Sequence, residues 1–152
     1  MRVKFLGGVK NVTGSKFLLE ISDRRIMVDC GLFQERELKD RNWASFPVEP
    51  SSIDAIILTH AHLDHCGHLP KLVKDGFKGN IFCTEPTADI AKIALLDAGK
   101  VQEADAEKKR ERHLKEERKS PFPVVPLYTA DDAKGVFPLL KSYPYEHPFE
   151  LF

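Results

Sequence analysis

The sequence has no long apolar run. No stretch approaches the ~18 consecutive apolar residues that a membrane-spanning helix needs. The N-terminal stretch MRVKFLGGVKNVTGS is interrupted by Lys4 and Gly7, too early for the apolar region of a secretory signal. The sequence therefore predicts a cytoplasmic protein that does not bind a membrane.

The sequence also has few cysteines and no net charge. The three cysteines, Cys30, Cys66 and Cys83, are odd in number and form no CxxC pair, which argues against a disulfide framework and against a zinc ribbon. We expect buried thiols instead. Lysine plus arginine equals aspartate plus glutamate at 23 each. Net charge therefore neither supports nor excludes a polyanionic partner.

The remaining composition is that of a globular domain. Of the 152 residues, 42% are hydrophobic, which is enough for one domain with a substantial core. Strand-like and helix-like segments alternate, a pattern typical of the α/β class. The predicted strands cover residues 3–6, 16–22, 25–28, 53–58 and 78–83, and a further strand is expected to begin within 148–152. The predicted helices cover residues 69–75, 87–119 and 129–141.

The segment 87–119 changes character along its length. Its first half is amphipathic, whereas residues 103–119 are heavily charged and have almost no apolar face. We expect an exposed helix or a mobile hairpin arm there. A solvated surface and a surface that faces RNA or a partner protein both agree with this composition.

A cluster of histidines stands out in HAHLDHCGHLP, residues 60–70, which holds four of the six histidines in the chain. Imidazole and carboxylate groups are ligands of zinc. His60 and His62 follow a predicted strand and are two residues apart, so an extended backbone points both side chains the same way. Asp64 and His65 lie past the turn and project from another direction. The spacing favours two ligand pairs for two ions.

A helical zinc-protease motif does not fit this segment. Such a motif needs two histidines four residues apart with a glutamate between them. No glutamate stands at the required place, and Gly67 and Pro70 argue against a long helix here.

HAHLDH resembles the HxHxDH signature of the metallo-β-lactamase fold, an αββα sandwich. Asp29 in RIMVDCG resembles the aspartate that ends an early strand of that fold. The flanking strings HCGHLP, VTGS and DCGLFQ are similar to those of the β-CASP ribonucleases, the branch that includes RNase J and the cleavage-and-polyadenylation nuclease. The expected fold class is therefore α/β, as the N-terminal part of such a sandwich.

This resemblance implies hydrolysis of RNA phosphodiester bonds by a centre with two zinc ions. His60 and His62 would bind one ion. Asp64 and His65 would bind the other and thereby act in catalysis. Asp29 would not bind an ion itself but would orient a ligand histidine.

His68 belongs to the flanking pattern and is not one of the four expected ligands. We expect His68 to have a structural role or to contact a ligand residue without binding metal itself. The alternative is a position close to substrate or metal. Gly14 and Ser15 match the VTGS string, and a turn that opens a strand explains them as well as a contact with phosphate does.

The family completes its centre with a histidine in an AGHxxGS-like string and a bridging aspartate, and neither is found in this sequence. His147 lacks the flanking small residues. We therefore expect residues 1–152 to be the N-terminal portion of a metallo-β-lactamase-like domain with a charged helical insertion at about 87–119. The remainder of that domain and the β-CASP cap would be absent. This portion alone would bind zinc weakly, be inactive, and expose apolar surface or form a homo-oligomer.

Two other functions agree with the same residues. One is hydrolysis of a small molecule, such as a thioester, by a metal-dependent enzyme of the same fold. The other is a binding module without catalysis, although the intact HxHxDH string argues against it.

Overall fold

The computed structural model describes residues 1–117 and 124–152, and in them six strands form one mixed sheet in the order β1-β2-β3-β4-β5-β6. The first three strands pair antiparallel as a meander, and β3 to β6 run parallel. The strands are β1 (Arg2–Gly7), β2 (Lys16–Ile21), β3 (Arg24–Val28), β4 (Ala55–Ile57), β5 (Asn80–Thr84) and β6 (Leu140–Tyr143).

Helices connect the parallel strands, because a parallel pair needs a crossover. The α-helices are α1 (Leu63–Cys66), α2 (Leu69–Lys74), α3 (Glu85–Lys115) and α4 (Ala130–Lys134), and short 3₁₀ helices cover Lys39–Trp43, Pro50–Ser52 and Phe137–Leu139. Within the described residues, no helix combines the length and the apolar composition needed to cross a membrane.

The α/β class and the first five predicted strands are confirmed. The ends of these strands differ from the predicted ends by at most two residues. The short helix after the histidine cluster is confirmed as α2. Pro70 occupies its first turn, and Gly76 follows it with a φ of 118°, a backbone conformation that favours glycine.

The long helix is confirmed as one continuous α3 as far as Lys115. Its charged second half is mostly exposed, as expected for residues 103–115: Ala106 is buried, and Glu103 and His113 are half-buried. Residues 118 and 119 of the predicted helix lie outside the described residues.

The prediction of a helix over residues 129–141 is wrong beyond Lys134. The helix does start as expected, because the Thr129 side chain accepts from the Asp132 N–H while the Asp132 carboxylate accepts from the Thr129 N–H. Pro138 then enters a 3₁₀ helix, and β6 pairs in parallel with the edge of β5. An open sheet edge therefore overrides the local helical pattern.

The expected start of a strand at 148–152 is also wrong. These residues form no strand. Instead, the Phe149 ring stacks on Tyr143 at 4.3 Å and lies 5.5 Å from Phe82. Stacking of the aromatic ring on side chains of β5 and β6 replaces backbone pairing.

One face of the sheet forms the core. Leu18, Met27, Ile56 and Ile81 come from four neighbouring strands and are fully buried in one cluster with residues of α2 and α3. The side chains of the two helices in this cluster are Leu69, Leu72, Ala88, Ala91 and Leu95. The helical layer therefore covers this face.

The opposite face is apolar and partly open. The strand register places Phe5, Phe17, Val28, Ile57 and Phe82 side by side on it. The Phe149 ring covers the β5 end, whereas the Phe5 side chain at the β1 end is 65% exposed. This open end has the chemistry of a contact surface.

We expect the chain to self-associate through this open end, because Phe5 removes apolar area from water when two copies meet. Phe5→Glu should shift sedimentation velocity profiles toward the monomer. Ile93→Glu, an equally drastic change at an exposed position of α3, should not. A wild-type chain that sediments as a monomer at tens of micromolar contradicts this expectation.

Candidate metal centre

The candidate ligands lie at the edge where parallel strands end. Because β3 and β4 pair in parallel, with Val28 opposite Ile57, their following residues meet at one edge of the sheet. His60 and His62 occupy the extended segment after β4, and His62 is the last extended residue before α1. Asp64 and His65 lie on α1.

The four candidate ligands face each other as two pairs. Nε2 of His60 lies 3.2 Å from Nδ1 of His62, and Nε2 of His65 lies 3.5 Å from Oδ2 of Asp64. Two ligands of one tetrahedral zinc ion lie about 3.4 Å apart, given zinc–ligand distances of about 2.0–2.1 Å. The His60 and His65 rings are 3.9 Å apart at their centroids, so the two pairs are adjacent. Each pair has the spacing that two ligands of one ion need.

Each pair is nevertheless half of a tetrahedral set. Among the described residues, no group of three or more histidine, cysteine, aspartate or glutamate side chains surrounds one point as a metal site does. Three imidazoles and one carboxylate suit zinc chemically, so the donor set fits two half-coordinated positions. The assignment of the four residues as ligands stays a prediction.

Asp29 is the buried carboxylate behind these pairs. Its Oδ2 lies 2.7 Å from Nδ1 of His65, and Ser15 Oγ donates to the same oxygen at 3.2 Å. Its Oδ1 accepts from the Thr59 N–H at 2.8 Å and from Thr59 Oγ1 at 2.9 Å. Because a carboxylate only accepts, His65 carries its proton on Nδ1, and its Nε2 lone pair is free beside Asp64. This contact is what an orienting role for Asp29 requires.

Thr59 extends the same arrangement to His60. Thr59 Oγ1 donates to Asp29 and lies 3.0 Å from Nδ1 of His60, so the His60 Nδ1–H donates to it and Nε2 keeps its lone pair toward His62. Burial, followed by the neighbouring His65 and His62, lowers the pKa of His60. The imidazole is therefore held neutral, which is the form that binds a metal.

Sequence reasoning did not identify Thr59 and Ser15 as site residues. Thr59 directly precedes the cluster, and Ser15 belongs to the VTGS string, for which a turn and a phosphate contact are equally good explanations. The signal for both was their position beside strand ends that the parallel pairing of β3 and β4 brings together.

Main-chain hydrogen bonds clamp α1 to the segments that follow β3 and precede β2. Gly31 lies at the tightest point of this contact, because a Cβ atom added to it would lie 1.6 Å from the carbonyl oxygen of Asp64. The bonds run from Ser15 N to Asp64 O (2.9 Å), from Cys30 N to His65 O (2.7 Å), from Leu32 N to Leu63 O (2.9 Å) and from His68 N to Cys30 O (2.9 Å).

His68 does not join the ligand pairs. Its Nε2–H donates to the carbonyl of Asn42 at 3.0 Å, and its ring packs 4.7 Å from Phe46. Its Nδ1 is buried and has no hydrogen-bond partner among the described residues. Burial and the charge of Lys16 lower the pKa of His68 to about 3, so the ring is neutral. These contacts favour the structural role over a position at substrate or metal.

Cys66, inside the motif, is a buried thiol. Its Sγ donates to the carbonyl of Ala61 at 3.3 Å. Burial raises the pKa of this thiol to about 12, which keeps it protonated and unsuited to bind a metal. Cys30 and Cys83 are buried thiols as well, as the sequence predicted.

Comparison with known families gives one match over most of the chain. The sequence profile of the Metallo-beta-lactamase superfamily matches residues 12–141. Ribonuclease TTHA0252 of Thermus thermophilus is 46% identical over 103 residues, which are 68% of this chain and 24% of that protein.

Two further relatives match a similar share of the chain. Transcription termination factor FttA of Methanocaldococcus jannaschii is 40% identical over 100 residues, or 64% of this chain and 16% of that protein. Cleavage and polyadenylation specificity factor 73 of Drosophila melanogaster is 35% identical over 108 residues, or 70% of this chain and 16% of that protein. The chain thus spans about a quarter or less of the length of these relatives. They confirm the resemblance to the β-CASP ribonucleases.

Among solved structures, a HARLDQ-motif mutant of the metallo-beta-lactamase from Cronobacter sakazakii superposes with a TM-score of 0.42 at 26% identity. The superposition covers 57% of this chain and 33% of that one.

We predict that Gly31→Ala disrupts the contact between the β3–β4 connection and α1, because no Cβ fits beside the Asp64 carbonyl. The midpoint of urea unfolding should fall by the equivalent of about 2 kcal/mol or more. Gly135→Ala is the matched control, since Gly135 has a right-handed helical conformation and its nearest neighbours would be 3.1 Å away or more. Equal stability losses in the two variants would contradict the clamp.

We predict that His68 makes the fold sensitive to acid. The unfolded state binds a proton near the ordinary pKa of 6.5, whereas the folded state binds one only near 3. The free energy of unfolding is therefore unaffected by His68 above pH 6.5 and falls as the pH drops toward 3, by about 1.4 kcal/mol per pH unit. Urea unfolding of His68→Gln across this range should show a shallower loss than wild type. The exposed His147→Gln should match wild type, and identical slopes for His68→Gln and wild type would refute the prediction.

Proposed function

The chain belongs to the metallo-beta-lactamase superfamily, and from this premise we propose that it supplies part of the centre of a zinc-dependent hydrolase that cleaves RNA phosphodiester bonds. The observation that carries the proposal is the pairing of His60 with His62 and of Asp64 with His65, each at a spacing suited to one tetrahedral ion. Bound zinc would supply stabilisation of the negative charge that develops on a phosphodiester during hydrolysis.

In this proposal His60 and His62 hold one ion, and Asp64 and His65 hold the other. The supporting residues fix the orientation and the proton position of the imidazoles. Asp29 keeps the His65 proton on Nδ1, and Thr59 does the same for His60. Because these hydrogen bonds set the ring orientations in advance, the lone pairs need no reorganisation when a metal arrives.

RNA is supported as the substrate by the names of the relatives and by the strings that flank the cluster. The relatives are named as a ribonuclease, a transcription termination factor and a cleavage and polyadenylation factor. Residues 1–152 would then form the N-terminal portion of the metallo-β-lactamase-like domain, and the charged part of α3 would be an insertion in it.

Zinc equivalents bound by variant proteins test the two-pair assignment. In protein that carries residues 1–152 as its N-terminal portion, the double variant His60→Ala/His62→Ala and the double variant Asp64→Ala/His65→Ala should each lose one of two zinc sites in a titration followed by elemental analysis. His113→Ala/His147→Ala removes two histidines outside the cluster and is the matched control. Loss of both ions together in either double variant would indicate one shared site instead of two.

Asp64→Ala should abolish RNA cleavage, with a loss of at least about a hundredfold, because it removes a ligand of the proposed centre while Asp64 has little share in the core. The measurement is cleavage of a labelled RNA by protein that carries residues 1–152, with circular dichroism as the check on folding. Retained cleavage in a folded variant would exclude the two-metal assignment. Cleavage of a thioester and not of RNA would favour the small-molecule hydrolase.

A further inference from the structure

Trp43 has an unusual environment for a tryptophan. It ends the 3₁₀ helix Lys39–Trp43, and its side chain is 52% exposed. In residues 1–117 and 124–152 its ring meets no other aromatic ring and no cation, and its indole N–H donates no hydrogen bond. Tryptophan is normally well buried, with its N–H paired. The exposed indole is therefore a candidate for contact with a ligand.

The support under Trp43 is rigid. The adjacent Asn42 is buried, its Oδ1 accepts from the Phe33 N–H at 2.9 Å, and its Nδ2 donates to the Phe33 carbonyl at 2.8 Å. The Asn42 carbonyl accepts from His68. Hydrogen bonds hold both the side chain and the main-chain carbonyl of Asn42. The backbone that carries Trp43 therefore has a defined position, which lowers the entropic cost of binding a ligand.

The same segment is joined to the candidate metal centre. It follows Asp29, whose carboxylate contacts His65, and His68 lies three residues beyond His65 in the chain. On the other side, Glu35 accepts from the N–H groups of Val12 and Thr13. The His68 ring donates to the Asn42 carbonyl, the His68 N–H donates to the Cys30 carbonyl, and the Cys30 N–H donates to the His65 carbonyl. The residue before Trp43 is therefore linked by hydrogen bonds to the segment that carries His65.

Exposed cations precede Trp43 in the chain. Arg36, Lys39 and Arg41 are exposed, and within the described part of the chain none of them forms an ion pair. Glu37 and Asp40 are exposed as well, whereas Glu35 is engaged by the backbone of residues 12 and 13. An aromatic face among cations is the combination that holds single-stranded nucleic acid, since bases stack on the ring and phosphates contact the charges. A protein partner would favour a contiguous apolar patch, which this charged segment does not offer.

We propose that Trp43 is a base-stacking contact for single-stranded RNA, with Arg36, Lys39 and Arg41 contacting the phosphate backbone. This inference rests on the proposed function, which names RNA as the substrate, and assigns to a defined surface the recognition of that RNA. We call residues 36–43 the stacking segment.

The chain contains one tryptophan, so its intrinsic fluorescence reports on Trp43 alone. Titration with a single-stranded oligoribonucleotide of mixed sequence should quench this fluorescence, because a stacked base contacts the indole directly. Anisotropy of the same RNA carrying a fluorescent label gives the affinity independently of tryptophan.

In the anisotropy assay, Trp43→Ala should weaken binding by about tenfold, the ordinary effect of losing one base–aromatic stack. Trp43→Phe should recover most of the affinity, because phenylalanine also stacks. Tyr145→Ala removes another exposed aromatic side chain outside the stacking segment and should bind RNA like wild type.

The charges have their own matched comparison. Arg36→Ala/Lys39→Ala should reduce the slope of log affinity against log salt concentration by the amount expected for the loss of about two phosphate contacts. Lys78→Ala/Lys141→Ala removes the same charge from two exposed positions outside the stacking segment and outside α3 and should leave that dependence unchanged. Equal effects of the two double variants would overturn the role of the stacking segment in favour of a diffuse charge effect.

Two further outcomes separate this inference from the proposed function. Bound RNA with unchanged Trp43 fluorescence and an unchanged affinity of Trp43→Ala would overturn the stacking contact, while the cleavage assay with Asp64→Ala still decides the proposed function. Failure of labelled RNA to bind the wild-type protein at all would overturn the inference. Quenching by a protein partner in the absence of RNA binding would have the same consequence.

Discussion

The hydrogen bonds to the buried carboxylate of Asp29 are the interaction on which the rest of this structure depends. Burying a charge costs several kcal/mol unless donors replace its hydration. Asp29 receives donors from Ser15, from Thr59 and from His65. These donors come from three separate segments, so one carboxylate joins the start of β2, the end of β4 and α1. Its chemistry as an acceptor also determines which nitrogen of His65 carries the proton.

The fold serves this interaction by bringing strand ends together. Parallel pairing of β3 and β4 places Asp29 and Thr59 at the same edge, and the main-chain clamp across Gly31 holds α1 against it. The helical face of the sheet supplies the packed core that keeps this edge rigid. The opposite face and the second half of α3 contribute little to the core, which leaves them available for contacts with other molecules.

The agreement between sequence and structure differs from element to element. The strands up to β5 were predictable, because alternation and buried apolar runs are local patterns. The helix predicted over 129–141 failed after Lys134, since the capping signal at Thr129 is local whereas the pairing of residues 140–143 with β5 is not. The strand expected at 148–152 failed because the Phe149 ring found aromatic partners on β5 and β6.

The sequence by itself determined the two-pair arrangement of the candidate ligands. His60, His62, Asp64 and His65 are so close along the chain that the change from extended backbone to helix dictates their directions. Only the tertiary structure decided what supports them. Ser15, Thr59 and Asn42 are ordinary polar residues in ordinary contexts, and they acquire roles when the sheet brings distant segments into hydrogen-bond range. The physical reason is that a hydrogen bond between segments 30 residues apart depends on strand pairing, which leaves no mark on the local pattern of either segment.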